Sequence, residues 1–369
     1  MRSARANAPA WFHGTAPTPN LLGLDRPSLT AALGELGEKP FRARQLIKWV
    51  HQRGVRDFSA MTDLGKALRA RLDETFSLEL PEVAGDQTAA DGTRKWLLRL
   101  ADGNAVEAVY IPEPRRGTLC VSSQVGCAMG CTFCATAEAG FARNLTSAEI
   151  VAQLHVARDL LPEGAITNVV FMGMGEPLLN TEAVVSAARI FTDDHGFGLS
   201  KRRVTISTSG VVPAIEKLPE LTDVSLAVSL HAPNNPLRDE LVPLNRKHPL
   251  ERLLPACHAY IRDKHPRRIT WEYVMLHGVN DSDANARELA ECVRGIPSKV
   301  NLIPFNPYPG ARYTCSTPER MRRFAEILAE EGVVATTRIT RGEDIDGACG
   351  QLVGQVETRR ETRHTGAAV

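Results

Sequence analysis

The sequence predicts a parallel α/β domain, closed or partly closed as a barrel, preceded by a small all-helical module. Short β-rich runs alternate with helical stretches from about Thr118 to Ile339, and this alternation is typical of a parallel sheet. The chain has 369 residues, too many for one ordinary domain of about 100–150 residues, whereas a barrel of about 250 residues with an appendage fits. With 43% hydrophobic and 24% charged residues, the composition excludes disordered and fibrous classes.

Overall charge and hydropathy assign no partner. The formal net charge is only +1, from 44 Lys+Arg and 43 Asp+Glu. No apolar run reaches the ~18–20 residues that cross a bilayer, and the amino terminus lacks the apolar stretch of a secretion signal, so we expect a cytoplasmic protein without membrane association. Eight cysteines are too few for a disulfide scaffold, so clustered ones are expected to be metal ligands or catalytic groups.

The amino-terminal part divides into a tail and a helical module. Residues 1–20 lack periodicity and predict a mobile tail, whereas the leucine spacing from Ser28 to about Leu80 predicts helices within residues 21–85. Between Lys39 and Arg71 the chain has nine Lys/Arg against two acidic residues, a local excess of seven. The excess fits a phosphate-binding surface and solvated helix faces equally well.

Residues 86–112 predict a linker and a β-hairpin. The linker surrounds Pro81 to Thr93, and two alternating runs, 95–100 and 105–111, meet at Asp102-Gly103, a strong hairpin signal. Glu107 lies in the second run, where it is expected to be an ordinary exposed strand carboxylate.

Residues 113–352 predict the barrel, followed by a tail over 353–369. Thr146 and Glu149 form a capping box sequence that begins one helix, and Thr317-Pro318 marks the start of another. In a barrel of this kind, the functional groups lie on loops at the carboxyl ends of the strands. The predicted strands are 118–123, 168–172, 203–207, 224–229, 269–275, 300–303 and 334–339.

Three cysteines, Cys127, Cys131 and Cys134, follow the first barrel strand with the spacing C-x3-C-x2-C. A structural zinc site normally takes four ligands, as does an electron-transfer [4Fe–4S] cluster. Three thiolates leave one iron of a cubane open for a substrate. The alternative is a zinc knuckle completed by Cys120 or a distant ligand.

Further polar groups follow the later strands, at the same expected edge of the barrel. Each is an ordinary turn or cap when taken alone, but together they trace one rim. The positions are Gly175 and Glu176 after the second strand, Ser207 in the third, Ser229, Leu230 and His231 at the fourth, and Asn306 after the sixth.

These motifs resemble those of the radical S-adenosylmethionine (SAM) superfamily. Phe133 stands where that superfamily commonly has an aromatic residue, and Gly175-Glu176-Pro177 stands where it has its GEP motif. Longer blocks, including 116–127, 203–210, 226–233 and 341–351, resemble the RlmN-type family of adenine-C2 RNA methyltransferases. The resemblance runs from about Leu22 to Leu352. It implies a [4Fe–4S] cluster on the three cysteines and two SAM per turnover, bound by the rim residues. The implied substrates are one adenosine in the peptidyl-transferase region of 23S rRNA and the adenosine beside the anticodon in some tRNAs.

The resemblance also implies roles for three residues outside the rim. Cys349, flanked by glycines, is methylated and carries the methylene radical. Cys120 resolves the protein–RNA adduct through a transient disulfide, and Glu107 is the proton acceptor. Without the resemblance, cysteines at such positions are more often buried, inert thiols. Against that interpretation, Cys120 lies on the strand that leads to the three-cysteine loop, and Cys349 lies in a glycine-flanked loop after the last strand, where a barrel places catalytic groups.

The expected partners are RNA, engaged through the helical module, and a flavodoxin-type electron donor, with the protein a monomer. Two alternatives stay open at this point: a resistance-type enzyme that methylates C8 of the same ribosomal adenosine, and a non-catalytic zinc-stabilised RNA-binding protein. Three cysteines match no functional position and are expected to be structural: Cys257, Cys292 and Cys315.

Overall fold

A computed structural model describes residues 18–262 and 267–354. Most of the predicted amino-terminal tail (1–17) and of the carboxy-terminal tail (355–369) lies outside the described residues, as does 263–266. None of the helices in the described ranges is long and apolar enough to cross a membrane.

The amino-terminal module is helical, as the leucine spacing predicts. Its helices are α1 (Arg26–Glu35), α2 (Phe41–Ile47) and α3 (Lys66–Thr75). A π-helical turn, Lys48–Gln52, continues α2. The leucines at helical spacing form a separate apolar core that includes Leu29, Leu33, Leu46, Leu68 and Leu72.

Most of the chain after the module is organised by one ten-stranded sheet and a small two-stranded one. The strands are β1 (Glu82–Thr88), β2 (Arg94–Arg99), β3 (Ala105–Glu113), β4 (Arg116–Cys120), β5 (Gln124–Gly126), β6 (Phe141–Asn144), β7 (Asn168–Phe171), β8 (Val204–Thr208), β9 (Ser225–Ser229), β10 (Ile269–Met275), β11 (Ser298–Pro304) and β12 (Ala335–Thr337). The large sheet has the order β1-β2-β3-β4-β7-β8-β9-β10-β11-β12, and β5 pairs with β6.

From β4 to β12 all neighbours in the large sheet are parallel, whereas β1, β2 and β3 extend it as an antiparallel ribbon. The predicted parallel α/β class is therefore confirmed. Within the described ranges, the strand order runs from β1 to β12 without a ladder that joins the two ends.

The predicted linker is wrong in part. Residues Glu82–Thr88 form strand β1, which pairs with β2, so the boundary predicted at residue 85 cuts through a strand. The hairpin prediction is confirmed, because β2 and β3 are antiparallel neighbours and Gly103 takes a positive φ of 88° in their turn. The first predicted barrel strand, 118–123, ends early, at Cys120.

Helices connect the parallel strands and cover the sheet. They are α4 (Ala135–Glu138), α5 (Ser147–Leu160), α6 (Thr181–Thr192), α7 (Val212–Leu221), α8 (Asn235–Leu241), α9 (Leu250–Ile261), α10 (Asp283–Cys292) and α11 (Pro318–Glu330). The predicted capping box is present at α5, where the side chains of Thr146 and Glu149 each accept a hydrogen bond from the other's backbone N–H. Thr317 caps α11, and Pro318 is the first residue of that helix.

The helical module packs against α5 and α6. Gly23 lies so close to α5 that a Cβ there would approach the backbone nitrogen of Ala148 to 2.4 Å, which explains the glycine. Asp25 forms an ion pair with Arg189 of α6 at 3.2 Å. Inside the contact, His51 and His155 are buried, and their ring nitrogens lie 3.1 Å apart. The module is thereby fixed to the helices that flank the first parallel strands.

Candidate active site

The sequence-predicted groups lie where the parallel strands end. Cys120 is the last residue of β4, Ser207 lies in β8 one residue before its end, and Ser229 ends β9. Glu176 follows β7, and Asn306 follows β11. Cys349 follows β12, the last strand. Six of the seven parallel strands therefore contribute a predicted group to the same edge of the sheet.

The cysteine loop occupies the connection between β5 and α4. Cys127, Cys131 and Cys134 are each partly buried. Burial and the charges of Cys134 and Cys127 raise the pKa of Cys131 well above its ordinary value, and burial likewise raises the pKa of Cys127 to about 12, with a smaller contribution from Cys134. The three thiols are therefore close enough to repel one another as thiolates, and they are ionised only if a positive centre compensates them.

A polynuclear cluster suits this arrangement. Within 18–262 and 267–354, no three His, Cys, Asp or Glu side chains converge as ligands of a single metal ion. In a [4Fe–4S] cluster each cysteine binds a different iron, so its ligands surround a cube and do not meet at one point. Three close thiols with unfavourable mutual charge fit three irons of such a cluster.

Glu176 is buried beside the cysteine loop. Its Oε2 accepts hydrogen bonds of 2.7 Å from both the backbone N–H and the hydroxyl of Ser209, and its Oε1 accepts one from Leu178 N–H. Burial raises its pKa, so a cationic group in this place would be bound favourably. Gly175 has a φ of 97°, and a Cβ there would meet Gln124 at 2.4 Å, so only glycine brings this turn against β5.

The end of β9 places His231 in contact with the cysteine loop. Its ring lies edge-on to Phe133 with centroids 4.7 Å apart, and its Nδ1 accepts the N–H of Val274. Burial lowers its pKa to about 3, so the imidazole is neutral, with its proton on Nε2. His231 also has a φ of 58°, rare for a residue with a side chain. Leu230, just before it, is fully buried.

Arg238 in α8 organises the same edge, and the sequence reasoning did not identify it. Its guanidinium is completely buried and donates to the carbonyl oxygens of Ser209, Ser229 and Leu230 at 2.6–3.1 Å. It therefore joins the ends of β8 and β9. No motif distinguishes Arg238 in the sequence, because its partners are backbone atoms of distant elements.

Cys349 and Cys120 lie near each other and near the same cation, Arg338. The Arg338 guanidinium, just after β12, lies 3.6 Å from Cys349 Sγ and 3.8 Å from Met172 Sδ. Burial and the nearby Cys349 raise the pKa of Cys120, whereas Arg338 lowers it. Asn306 donates to the Cys349 carbonyl at 3.3 Å. The sequence analysis does not identify Arg338 either. Its position directly after the last strand, where functional groups are expected, is the signal that could have indicated it.

Arg338 is paired with a buried acid. Its Nη2 lies 3.8 Å from Glu272 Oε1, and Glu272 accepts a hydrogen bond of 2.7 Å from Asn301 through its other oxygen. Glu272 and Asn301 face each other in neighbouring strands β10 and β11. The sheet interior thus supplies the counter-charge that fixes the guanidinium beside the thiols.

Glu107 is not the exposed carboxylate that its place in a hairpin predicts. Its side chain is only 8% exposed and forms an ion pair with Lys95, Nζ to Oε1, at 3.1 Å. Its Oε2 accepts the N–H groups of Val353 and Gly354 at 2.9 and 3.2 Å. The first two residues of the predicted tail, Val353 and Gly354, are therefore bonded to Glu107. We name residues 346–354, which carry Cys349 across the site, the Cys349 segment.

The remaining three cysteines have no hydrogen bond to the site residues among the contacts described above. Cys257 is buried on α9 and belongs to the main apolar core, and Cys292 ends α10. Cys315 forms an isolated bridge with Leu276 and packs against the same small apolar cluster as Cys131 and Phe133.

Fold and site together define a radical SAM enzyme. The sequence profile of the Radical SAM superfamily matches residues 121–290. A crystal structure of a radical SAM methyltransferase from Sphaerobacter thermophilus superimposes with a TM-score of 0.84 at 46% identity, covering 90% of this chain and 99% of that chain.

The family follows from the amino-terminal module and from full-length relatives. The profile of the ribosomal RNA large subunit methyltransferase N-terminal domain matches residues 19–78. Dual-specificity RNA methyltransferase RlmN of Halorhodospira halophila is 72% identical over 343 residues, 93% of this chain and 96% of that protein. The protein of the same name from Alkalilimnicola ehrlichii is 66% identical over 348 residues, 93% and 97% of the two chains. The chain belongs to the RlmN family of radical SAM RNA methyltransferases, whose cofactors are a [4Fe–4S] cluster and SAM, two molecules per turnover.

Proposed function

We propose that this protein methylates C2 of an adenosine in the peptidyl-transferase region of 23S rRNA and of the adenosine beside the anticodon in tRNAs. The names of its relatives support a dual RNA substrate. The observation that carries the proposal is the arrangement of Cys349 and Cys120 around Arg338, at the strand edge that also bears the three-cysteine loop. Two thiols beside the three-cysteine loop fit an enzyme that transfers a carbon through sulfur rather than one that only transfers electrons.

The cofactor contacts are divided between two groups of residues. Cys127, Cys131 and Cys134 would hold three irons and leave the fourth for SAM. When bound, the cluster and SAM supply a deoxyadenosyl radical. Glu176 would bind the ammonium of SAM, because its buried carboxylate needs a cationic partner. The other groups assigned to SAM are Gly175, Ser207, Ser229, Leu230, His231 and Asn306.

The two catalytic cysteines solve a difficulty of the substrate. C2 of adenine lies between two ring nitrogens and is electron-poor, so it does not attack an electrophilic methyl group. Cys349 Sγ would carry the methylene carbon, which adds to C2 as a radical once its methyl group has given up a hydrogen atom. Glu107 then takes the proton from C2, and the unpaired electron left on the adduct would pass to the oxidised cluster. The Cys120 thiolate attacks Cys349 Sγ to form a disulfide, the sulfur–carbon bond breaks with its electron pair passing to the RNA, and the new methyl group is completed by a proton.

The helical module is assigned to RNA binding. Exposed Lys39, Arg44, Lys48 and Lys66 fall in its basic stretch and suit contacts with phosphates. The target base must leave its stack to reach Cys349. We assign the protein to the cytoplasm, with a flavodoxin-type reductant as its electron source.

The test is to map methylated adenosines in 23S rRNA and tRNA after incubation with the anaerobically purified protein, SAM and reductant. Formation of 2-methyladenosine at one position in each RNA is expected, together with about four irons and four sulfides per chain. Cys349→Ala is expected to abolish the product while binding iron normally. Methyl groups found only at C8, or an iron-free protein that folds on zinc, would contradict the proposal.

A further inference from the structure

A buried ion pair links the proposed base to the Cys349 segment. Lys95 Nζ lies 3.1 Å from Glu107 Oε1, and the two side chains are 11% and 8% exposed. Leu97 of β2 faces Glu107 of β3 in the antiparallel ladder. Lys95, two residues before Leu97, therefore points to the same face and reaches Glu107 diagonally. Both groups are built on strands and not on loops.

The pair contacts the Cys349 segment on both sides of the cysteine. Lys95 Nζ also donates to the carbonyl oxygen of Asp346 at 3.3 Å, before Cys349. Glu107 Oε2 accepts the N–H groups of Val353 and Gly354, after it. Breaking the pair would therefore loosen the segment at both ends.

The contacts also indicate which oxygen of Glu107 is available. A carboxylate offers about four acceptor positions, two on each oxygen. Among the described residues, two donors reach Oε2 and one reaches Oε1. The acceptor position left over is on Oε1, the atom that Lys95 holds.

We propose that Lys95 is a positioning residue for the proton transfer at C2: it orients Oε1 of Glu107 and makes release of the Cys349 segment depend on that transfer. The inference rests on the proposed role of Glu107. In this step the C2–H bond breaks, its electron pair stays in the RNA adduct, and the proton forms an O–H bond with Oε1.

Protonation changes every contact of the pair. The carboxyl loses the negative charge that attracts the Lys95 ammonium. The bonds from Val353 and Gly354 weaken, because hydrogen bonds to an ionised acceptor are about twice as strong as those to a neutral one. The segment is then held less tightly, at the stage when the sulfur–carbon bond breaks and the RNA leaves.

The experiment compares the holoenzyme with Lys95→Met, Lys95→Gln, Lys95→Arg and Glu107→Gln, using an RNA fragment with hydrogen or deuterium at C2 of the target adenine. Lys95→Met should slow single-turnover methylation on the order of 100-fold, as misplacement of a catalytic group does. The deuterium effect on the rate should increase, because proton removal becomes the slow step. Lys95→Arg, which keeps the charge, should retain most of the rate. Lys299→Met, at an exposed position of β11, is the matched control and should behave as wild type.

Hydrogen exchange provides a readout that is independent of turnover. Amides of residues 350–354 should exchange faster in Lys95→Met and in Glu107→Gln than in wild type, and the double variant should show no further increase. If Lys95→Met does not fold, Lys95→Gln, which keeps a donor without the charge, makes the same comparison.

Two results would overturn the role of Lys95 alone. One is a Lys95 variant that loses activity with an unchanged deuterium effect and unchanged exchange, which is the behaviour of a merely structural ion pair. The other is normal turnover in Lys95→Met while Glu107→Gln is inactive. If wild type forms no 2-methyladenosine, the proposed function itself fails.

Discussion

Arg238 shows how one buried side chain can fix the edge of the sheet. Its guanidinium donates to the carbonyl oxygens of Ser209, Ser229 and Leu230 and to the side-chain oxygen of Asn245. Burial lowers its pKa to about 10, so it stays charged at neutral pH. Because Glu176 bonds to Ser209 and Leu230 precedes His231, the proposed SAM contacts depend on this one cation.

Replacing Arg238 with methionine should therefore be costly. The substitution keeps a long side chain but leaves several buried acceptors without a donor, so we expect the free energy of unfolding to fall by about 3 kcal/mol or more. Urea denaturation measures it. Arg246→Met, at an exposed position, is the control and should change stability by no more than about 0.5 kcal/mol. Similar small losses in both variants would contradict the role given to Arg238.

The resolving role assigned to Cys120 predicts a covalent adduct on denaturing gels when this thiol is removed. Cys120→Ala should leave the protein covalently attached to RNA, because no thiol remains to attack Cys349 Sγ. Cys257→Ala removes an equally buried thiol from the apolar core and should give no adduct. Gel shift and intact mass measure the attachment. Free methylated RNA from Cys120→Ala at the wild-type rate would exclude the resolving role.

At the scale of elements, the contact between the π-helical turn after α2 and helix α5 contains two buried histidines. His51 Nδ1 and His155 Nε2 lie 3.1 Å apart, so one ring donates and the other accepts, which requires the accepting ring to be neutral. Burial lowers the pKa of His51 to about 3 and that of His155 well below its ordinary value. Arg158 reinforces the contact by donating to the His51 carbonyl.

This contact predicts a loss of stability on acidification. In the unfolded chain both histidines take up a proton near pH 6.5, whereas in the folded protein His51 does so only near pH 3, and the pKa of His155 is also well below its ordinary value. The unfolded state thus binds more protons, and each histidine costs about 1.4 kcal/mol of stability per pH unit below about 6.5. His155→Gln should show a shallower decline than wild type in unfolding experiments between about pH 7 and pH 5. Parallel curves for the two proteins would contradict this account.

Elements that depend on neighbouring residues were predictable, and those that depend on distant partners were not. The capping box of α5 and the β2–β3 turn are short-range signals, and both are present. Strand β1 was missed because Gly85 and its polar residues give no apolar alternation, and the strand exists through its pairing with β2. Val353 and Gly354 were assigned to a tail because nothing in their sequence indicates a bond to Glu107.

The same distinction holds for the whole molecule and its candidate site. The three cysteines are identifiable from sequence because they are contiguous, and the rim residues because parallel strands end at one edge. The pairing of Arg338 with Glu272 joins elements far apart in the chain, and the pairing of Lys95 with Glu107 depends on the register of the β2–β3 hairpin. Charged residues of this kind are common on any surface, so only the fold separates these four from the rest.

The charge of the whole molecule is near zero, but its distribution predicts how RNA binding responds to salt. Part of the excess in the helical module is paired: Arg42 with Glu38 at 3.6 Å and Arg56 with Asp159 at 2.6 Å. Lys39, Arg44, Lys48 and Lys66 are exposed, and no ion pair within 18–262 and 267–354 involves them. These four are therefore among the cations available to phosphates.

Substituting two of them should reduce the salt dependence of RNA affinity by a definite amount. Each phosphate contact with a single strand contributes about 0.7 to the slope of log K against log salt concentration, because a condensed counterion is released. Lys48→Gln/Lys66→Gln should therefore lower the slope by about 1.4. Lys217→Gln/Lys299→Gln removes the same charge from exposed positions of the α/β domain and should leave the slope unchanged, as measured by fluorescence anisotropy with a labelled RNA fragment. If both pairs lower it equally, binding follows net charge, and the helical module has no special part in holding RNA.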